Sequence, residues 1–275
     1  MIPSIKLKFL SPKEIEDVVS FLKMKDSHGY DGISIKVLKQ NIPYILSPLT
    51  YICNLMISKG IFPTILKFVE IKPLCKKGEM VNIFNYRPIF LLTSFSKIFE
   101  KNIFTRLTRH LNYNHILVEE QFGFRIKSSM ELASYKLIND TFTSLNNKLL
   151  VGGVFWWFTK GFWLCWYDLL LSKMLWYGIS GKGYNLIQSY LKNRYQRVII
   201  ANKFRKYYSE WEPIRYGVPQ GSILGPLFFI LYVNYLQTTM AISANPILFA
   251  DDTSMIITKS DLMEFTNTKI EILQK

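Results

Sequence analysis

The spacing of apolar residues along this chain predicts a mixture of helices and short strands. Residues 11–14 (SPKE) form a capping box with proline at the first helical position, and apolar residues recur at helical spacing from there to about residue 25. Residues 34–58 predict one or two apolar helices interrupted at Pro43 and Pro48, because proline removes a backbone donor. The other predicted elements are strands at 67–74, 149–158, 196–201 and 207–214, and helices at 96–111, 129–145, 168–176, 183–192 and from about 260.

The helix predicted at residues 96–111 has two different faces. One face is apolar, and the other carries four basic residues: Lys97, Lys101, Arg106 and Arg109. Such a basic face is usually only solvated, but it is also suited to following a phosphate backbone. The sequence leaves both interpretations open.

One apolar run is long enough to cross a bilayer. Residues 222–242 contain no charged side chain over 21 positions. Pro226, Asn234 and Gln237 argue against insertion, and a helix buried in a large domain is also apolar on all sides. We therefore expect a buried helix and no membrane span.

The composition limits the class of the protein. Hydrophobic residues make up 49% of the 275 positions, enough for one large or two small domains with a packed core. Lys and Arg outnumber Asp and Glu by 34 to 20, and the net charge of +14 favours nucleic acid as a partner, with an acidic membrane surface second. Three scattered cysteines and three histidines indicate neither a zinc site nor a disulfide framework. A reducing, intracellular location fits them, and no signal peptide is apparent.

Two adjacent carboxylates, Asp251 and Asp252, follow an apolar segment suited to a short buried strand. Ionised carboxylates in such a place need a cationic partner, and no Lys or Arg follows them until Lys259. A hairpin tip that holds divalent cations is one interpretation. An exposed Asp-Asp turn is the other, because Asp is common in turns.

Three segments together narrow these alternatives: residues 85–89 (NYRPI), 216–226 (YGVPQGSILGP) and 249–252 (FADD). In this order and spacing they resemble the reverse transcriptase domain of non-LTR retrotransposons of the LINE and jockey type, and the resemblance extends from about residue 29 to residue 258. It implies an α+β fold, namely the right-hand polymerase fold, with fingers and palm.

The resemblance also implies a division of the chain. Residues 1–28 are expected to be an N-terminal helical extension, residues 29–150 the fingers and the start of the palm, and residues 151–275 the palm, truncated before the thumb. An upstream endonuclease region and a downstream thumb have no counterpart in this sequence, which is thus expected to be part of a longer element protein.

The chemistry of the family is RNA-templated DNA synthesis by in-line phosphoryl transfer, in which two Mg²⁺ ions act on the primer hydroxyl and the leaving pyrophosphate. The implied partners are an RNA template, a DNA primer and a deoxynucleoside triphosphate. By resemblance, Asp251 and Asp252 are the catalytic, metal-binding carboxylates of one strand. The residues expected to bind the nucleotide are Lys72, Lys76, Arg87, Gln220 and Gly221.

The opposite strand departs from the family. The family pattern has an aspartate at each of the positions occupied here by Trp157 and Trp163. The aspartate at the first of these positions is the family's ligand shared by both metal ions. An indole cannot ligate Mg²⁺. The next acid along the chain, Asp168, is expected on the following helix, and Tyr235 replaces another family aspartate.

We therefore expect a reverse transcriptase domain whose activity is impaired. The alternative is an inactive retroelement remnant that acts at most as a basic nucleic-acid-binding module. For the aromatic residues 155–167, mutational decay is the favoured explanation and a base-stacking surface the other. A structural salt bridge is the alternative role for Arg87, and residues 121–125 (QFGFR) are open to packing or to template contact.

Overall fold

The computed structural model describes residues 2–76, 78–125, 128–157, 165–202, 204–219, 221–236, 244–250 and 252–274, with the backbone alone for 157, 273 and 274. The chain forms two compact units. The first contains Met1–Asn114 and Phe162–Gly225, and the second contains His115–Gly161 and Pro226–Lys275. Each unit is thus built from two separate stretches of the chain.

Helix α1 (Pro12–Phe21) begins at the predicted capping box. The backbone N–H of Glu14 donates to Ser11 Oγ (3.2 Å), and the Ser11 N–H donates to Glu14 Oε2 (2.9 Å). The helix ends four residues before the predicted end near residue 25. Its buried residues Ile15 and Val19 lie one turn apart on one face, which is the helical spacing read from the sequence.

Helix α2 (Ile35–Lys59) is one continuous helix, so the predicted interruption at Pro43 and Pro48 is wrong. Both prolines are exposed, and the carbonyl groups that lose a helical partner there can hydrogen-bond water instead. The helix ends at Gly60, which adopts the left-handed conformation (φ 65°) that favours glycine at this position.

Helix α3 (Ser94–Tyr113) confirms the predicted amphipathic helix. Thr93 caps its first turn by accepting a hydrogen bond from the Ser96 N–H (3.1 Å). Its predicted apolar positions are all buried: Ile98, Phe99, Ile103, Leu107 and Leu111.

A five-stranded sheet belongs to the first unit. Strands β1 (Phe68–Cys75) and β2 (Tyr86–Leu91) are antiparallel, and β1 is parallel to β4 (Arg194–Ala201). Two short strands, β5 (Lys206–Tyr208) and β6 (Glu212–Ile214), both pair with β4. The single β-rich run predicted at 207–214 is therefore two strands, separated where the Ser209 hydroxyl accepts from the Val198 N–H (2.9 Å).

The helices α5 (Tyr167–Trp176) and α6 (Gly181–Leu191) complete the first unit and pack on each other. The sheet face towards the core carries Val69, Ile71, Phe90 and Leu92.

The second unit contains a three-stranded antiparallel sheet in the order β3-β8-β7. Its strands are β3 (Leu150–Trp157), β7 (Asn245–Phe249) and β8 (Asp252–Lys259). Helices α4 (Met130–Asn146) and α8 (Leu262–Gln274) pack against it. Gly152 lies under α8, where a Cβ would come within 2.5 Å of the Phe265 ring.

Helix α7 (Leu224–Val233) is the buried helix expected from the charge-free run, although it is shorter than the run. Beyond its end, the Asn234 side chain accepts from the Val118 N–H (3.1 Å) and donates to the Ile116 carbonyl (2.8 Å). Residues 237–243 lie outside the described residues. No helix in the described ranges combines the length and the apolar character needed to cross a membrane.

Candidate functional site

The β7–β8 hairpin carries the Asp-Asp pair in the second unit. Asp252 is the first residue of β8, is exposed, and is the Cα partner of Phe249 at the end of β7. Asp251 lies outside the described residues. Between the strands, Ala250 has a left-handed backbone (φ 57°), a conformation that is uncommon for residues other than glycine and needs support from its surroundings.

Gln121 supplies that support from beside the hairpin. Its side-chain oxygen accepts hydrogen bonds from the N–H groups of Gly123 (2.8 Å) and Ala250 (3.2 Å), and the residue is almost completely buried. A Cβ on Gly123 would lie 2.1 Å from the Ala250 nitrogen. Residues 121–125 therefore hold the turn before the aspartates, as the packing interpretation requires.

The same segment also extends the sheet. The Phe122 N–H donates to the Leu248 carbonyl (2.7 Å), and the Leu248 N–H donates to the Glu120 carbonyl (2.8 Å), so this stretch runs parallel to β7. Sequence reasoning did not identify Gln121 as the residue that holds the hairpin. The available signal was the close spacing of a polar Gln and a Gly in an otherwise apolar segment.

Strand β3 lies on the other side of β8, and its last residue is Trp157. The backbone of Trp157 is directly opposite that of Asp252. Such opposed positions in an antiparallel pair have Cβ atoms only about 5 Å apart, which is where a second strand would contribute a shared metal ligand. The sequence of β3 contains no Asp, Glu, His or Cys, and Trp163 lies outside the described residues.

Asp168, the next acid along the chain, is in the first turn of α5, as predicted. It is exposed, and Lys192 Nζ lies 3.8 Å from its carboxylate. Among the described residues, no three His, Cys, Asp or Glu side chains are grouped so that they could hold a metal ion. With carboxylates on only one of the two strands, the residues present do not fit a two-ion Mg²⁺ site.

The β1–β2 hairpin of the first unit brings predicted nucleotide-binding residues to one face. In the antiparallel register Lys72 is opposite Ile89, and Leu74 is opposite Arg87, so these four side chains share a face. Lys72 and Arg87 are both exposed. No carboxylate in the described part of the chain forms an ion pair with Arg87, so the salt-bridge alternative gains no support.

Two further residues complete this face. Lys76 is exposed at the end of β1, where its N–H donates to the Asn85 carbonyl (2.8 Å) and closes the hairpin. Arg197 on β4 donates two hydrogen bonds to Glu70 Oε1 (3.0 and 2.5 Å), and its guanidinium lies near the rings of Tyr208 (4.3 Å) and Trp211 (4.6 Å). Arg197 is therefore held within the protein, whereas the three cations predicted from the sequence are exposed.

The glycine-rich segment, residues 216–225 (YGVPQGSILG), also lies in the first unit, and Gln220 within it is outside the described residues. Gly221 has φ 104°, which only glycine adopts readily, and a Cβ there would lie 3.4 Å from the Phe90 carbonyl of β2. Gly221 thus lies next to the strand that carries Arg87. The Ser222 hydroxyl accepts from the Gly225 N–H (2.9 Å) where α7 begins.

Glu100 anchors the end of this segment and was not identified from the sequence. Its Oε2 accepts from the Ile223 N–H (2.7 Å), and its Oε1 accepts from the hydroxyls of Tyr190 and Ser96 (3.1 Å each). Burial raises the pKa of Glu100, and the neighbouring Arg194 opposes that rise. The only sequence signal was an acid on the apolar face of α3.

The basic face of α3 is partly engaged inside the first unit. Arg106 donates to the Lys8 carbonyl (3.1 Å) and pairs with Glu14 (3.3 Å), and Lys101 lies over the Phe104 ring (4.9 Å). Burial lowers the pKa of Lys97. Arg109 alone of the four predicted cations is exposed, so a continuous phosphate-binding face on α3 is not supported.

These strands, the glycine-rich segment and the Asp-Asp hairpin define the class of the protein as a polymerase domain. A solved structure of apo telomerase from Candida tropicalis has the same fold, with a TM-score of 0.51 and 16% identity over 77% of this chain and 47% of that one. The family described as Reverse transcriptase (RNA-dependent DNA polymerase) matches residues 75–275. The chain therefore belongs to the reverse transcriptase family.

Curated relatives come from mobile elements of Drosophila melanogaster. The probable RNA-directed DNA polymerase from transposon BS is 31% identical over 83% of this chain and 25% of its own length. The RNA-directed DNA polymerase from mobile element jockey is 26% identical over 98% of this chain and 30% of its own length. The predicted resemblance to non-LTR retrotransposon enzymes is confirmed, and the chain spans between a quarter and a third of these relatives' length.

Proposed function

We propose that this chain is the nucleic-acid-binding part of a retrotransposon reverse transcriptase whose own nucleotidyl transfer is lost or strongly impaired. The observation that carries the proposal is the register of β3 and β8. It puts Trp157 opposite Asp252, where a second strand would have to contribute a carboxylate for two Mg²⁺ ions.

The roles of the two units follow from the side chains that each one carries. The first unit has the exposed Lys72, Lys76 and Arg87 with Gly221 close to β2, and we assign its β1–β2 hairpin to the fingers and to triphosphate binding. The second unit has Asp252 at the hairpin, and we assign it to the palm. Asp251 and Gln220 keep their predicted roles in metal and nucleotide binding. The division at residues 28 and 150, and the position of a thumb, also stay predictions.

The partners that this proposal implies are an RNA template, a DNA primer and a deoxynucleoside triphosphate. The net charge of +14 supports binding to phosphate backbones independently of catalysis. The alternative, an inactive remnant that acts at most as a nucleic-acid-binding module, is the limiting case of this proposal, in which no nucleotide is added under any metal condition. The distinguishing test is whether one preparation binds an RNA–DNA primer–template and also extends it.

The binding half of this test is a salt titration. We expect the affinity for an RNA–DNA hybrid to fall linearly on a logarithmic scale with salt concentration, because phosphate contacts release counterions. Arg87→Gln is expected to reduce the slope by roughly 1, as loss of one phosphate contact does. Lys36→Gln, which removes an exposed charge on α2, is the matched control and should leave the slope nearly unchanged. A slope near zero for the unchanged protein would contradict retained binding.

A further inference from the structure

Two exposed aromatic side chains of the first unit lie against each other, and neither has a role in the site described above. Trp166 directly precedes α5, and Tyr216 is the first residue of the glycine-rich segment. Their ring centroids are 6.1 Å apart and the ring planes are 29° from parallel. Trp166 is 64% exposed and Tyr216 is 53% exposed, so the stacked pair presents a large aromatic surface to solvent.

The backbone on both sides of this pair is fixed. The Gly217 N–H donates to the Cys165 carbonyl (3.0 Å), and the Tyr167 hydroxyl donates to the Gly217 carbonyl (2.8 Å). Cys165, Tyr167 and Gly217 are all buried. The two aromatic residues therefore project from neighbouring segments whose flanking residues are anchored in the core, and their geometry is set before any ligand arrives.

The surroundings of the pair indicate what it would bind. Arg215 is exposed directly beside Tyr216. A cavity of about 190 Å³ is lined by Arg215, Tyr216 and Gln196 among others. An aromatic surface and a neighbouring cation are the groups that stack a base and contact its phosphate.

We propose that Trp166 and Tyr216 form a stacking platform for an unpaired base of single-stranded nucleic acid, with Arg215 at the adjacent phosphate. Paired bases are already stacked on both faces, so an exposed platform of this kind selects single strands. The net charge of +14 favours a polyanionic occupant over an apolar protein surface. The proposal rests on nucleic-acid binding as the proposed function, and adds the site and the class of strand.

The test compares a labelled single-stranded DNA oligonucleotide with an abasic oligonucleotide of the same length, by fluorescence anisotropy. Trp166→Ala and Tyr216→Ala are each expected to weaken binding of the base-containing strand about 5- to 150-fold, the equivalent of about 1–3 kcal/mol per stacked base. Binding of the abasic strand should not change. Trp166→Phe and Tyr216→Phe keep an aromatic ring and should retain most of the affinity.

Two further variants make the result specific. Trp176→Ala removes a tryptophan at the end of α5 that is more exposed than Trp166, and this variant should bind both strands like the unchanged protein. Arg215→Gln should weaken the binding of both strands alike, because it removes a phosphate contact and not a stacking surface. The slope of log affinity against log salt concentration should become about 0.7 less steep. Circular dichroism of each variant checks that it is folded.

Each outcome decides the proposal. The platform is supported if the two alanine variants lose affinity only for the base-containing strand and the two phenylalanine variants keep most of that affinity. Unchanged affinity in both alanine variants, or equal losses for the base-containing and abasic strands, would overturn the platform while nucleic-acid binding stands. Failure of the unchanged protein to bind either strand would overturn both the platform and the proposed function.

Discussion

Arg194→Met is expected to lower the free energy of unfolding at pH 8 by about 3 kcal/mol, because it leaves the buried Glu100 carboxylate without its cationic neighbour. Both residues are completely buried. Arg194 also packs against the Tyr190 ring (4.7 Å) and donates to the Tyr190 carbonyl (3.2 Å). Urea unfolding monitored by circular dichroism measures the change.

The loss should depend on pH in a defined direction. Burial raises the pKa of Glu100, so the folded state holds this proton more tightly than the unfolded chain does. Stability from this group is therefore present below the ordinary Glu pKa and is lost as pH rises through the folded value. Arg194 lowers the pKa of Glu100, so removing Arg194 raises that pKa further and makes the charged carboxylate more costly to bury. The free energy of unfolding of Arg194→Met should therefore lie further below that of the unchanged protein at pH 8 than at pH 5.

A second substitution separates the charge from the packing. Glu100→Gln in the Arg194→Met background removes the buried charge and should recover most of the stability lost at pH 8. The other charged groups near this pair are Lys67, whose pKa is lowered by burial and by Arg194, and Lys97, which interacts with Glu100. If the single variant loses the same amount at both pH values and the double variant recovers nothing, Arg194 stabilises the unit by packing alone.

Trp157→Asp is expected to bind Mn²⁺ on the order of ten times more tightly than the unchanged protein, because it adds a carboxylate opposite Asp252. Manganese is the probe because its binding is measured directly by electron paramagnetic resonance. The expected increase reflects ligand number: carboxylates would then come from both strands of the β3–β8 pair.

Phe155→Asp is the matched control for this gain. Phe155 is exposed on the same strand and is paired with Ser254, two positions along β3 from Trp157. Two residues along a strand span about 7 Å, too far for the new carboxylate to share an ion with Asp252. Equal gains in the two variants would show a general effect of negative charge and would contradict the assignment of position 157 as the missing ligand position.

The order of helices and strands could be predicted from the sequence where residues close together in the chain determine the local structure. The SPKE capping box, the apolar stripe of α3 and the Asp-Asp hairpin all occur as expected. The predicted break at Pro43 and Pro48 is wrong because the loss of a backbone hydrogen bond at an exposed proline is not enough to end a helix. Water can take the place of that bond on an exposed face, and burial of the other face keeps α2 continuous.

The contacts that position the site could not be predicted in the same way. Gln121 contacts Ala250, and Glu100 contacts Ile223, across more than one hundred residues of sequence in each case. No periodicity links such pairs, because their proximity is created by the tertiary fold. The stacking of Trp166 on Tyr216 is of the same kind: each residue alone is an ordinary aromatic, and only the fold brings them together.

We propose that this chain binds nucleic acid but does not add nucleotides, because Trp157 is opposite Asp252, where a metal-binding carboxylate is needed. Primer extension on an RNA template, with Mg²⁺ and separately with Mn²⁺, tests it most directly. Asp251→Ala defines the background, and binding of the same primer–template is measured in parallel. We expect binding, with incorporation no greater than that of Asp251→Ala in either metal. Robust incorporation by the unchanged protein that disappears in Asp251→Ala would contradict the claim.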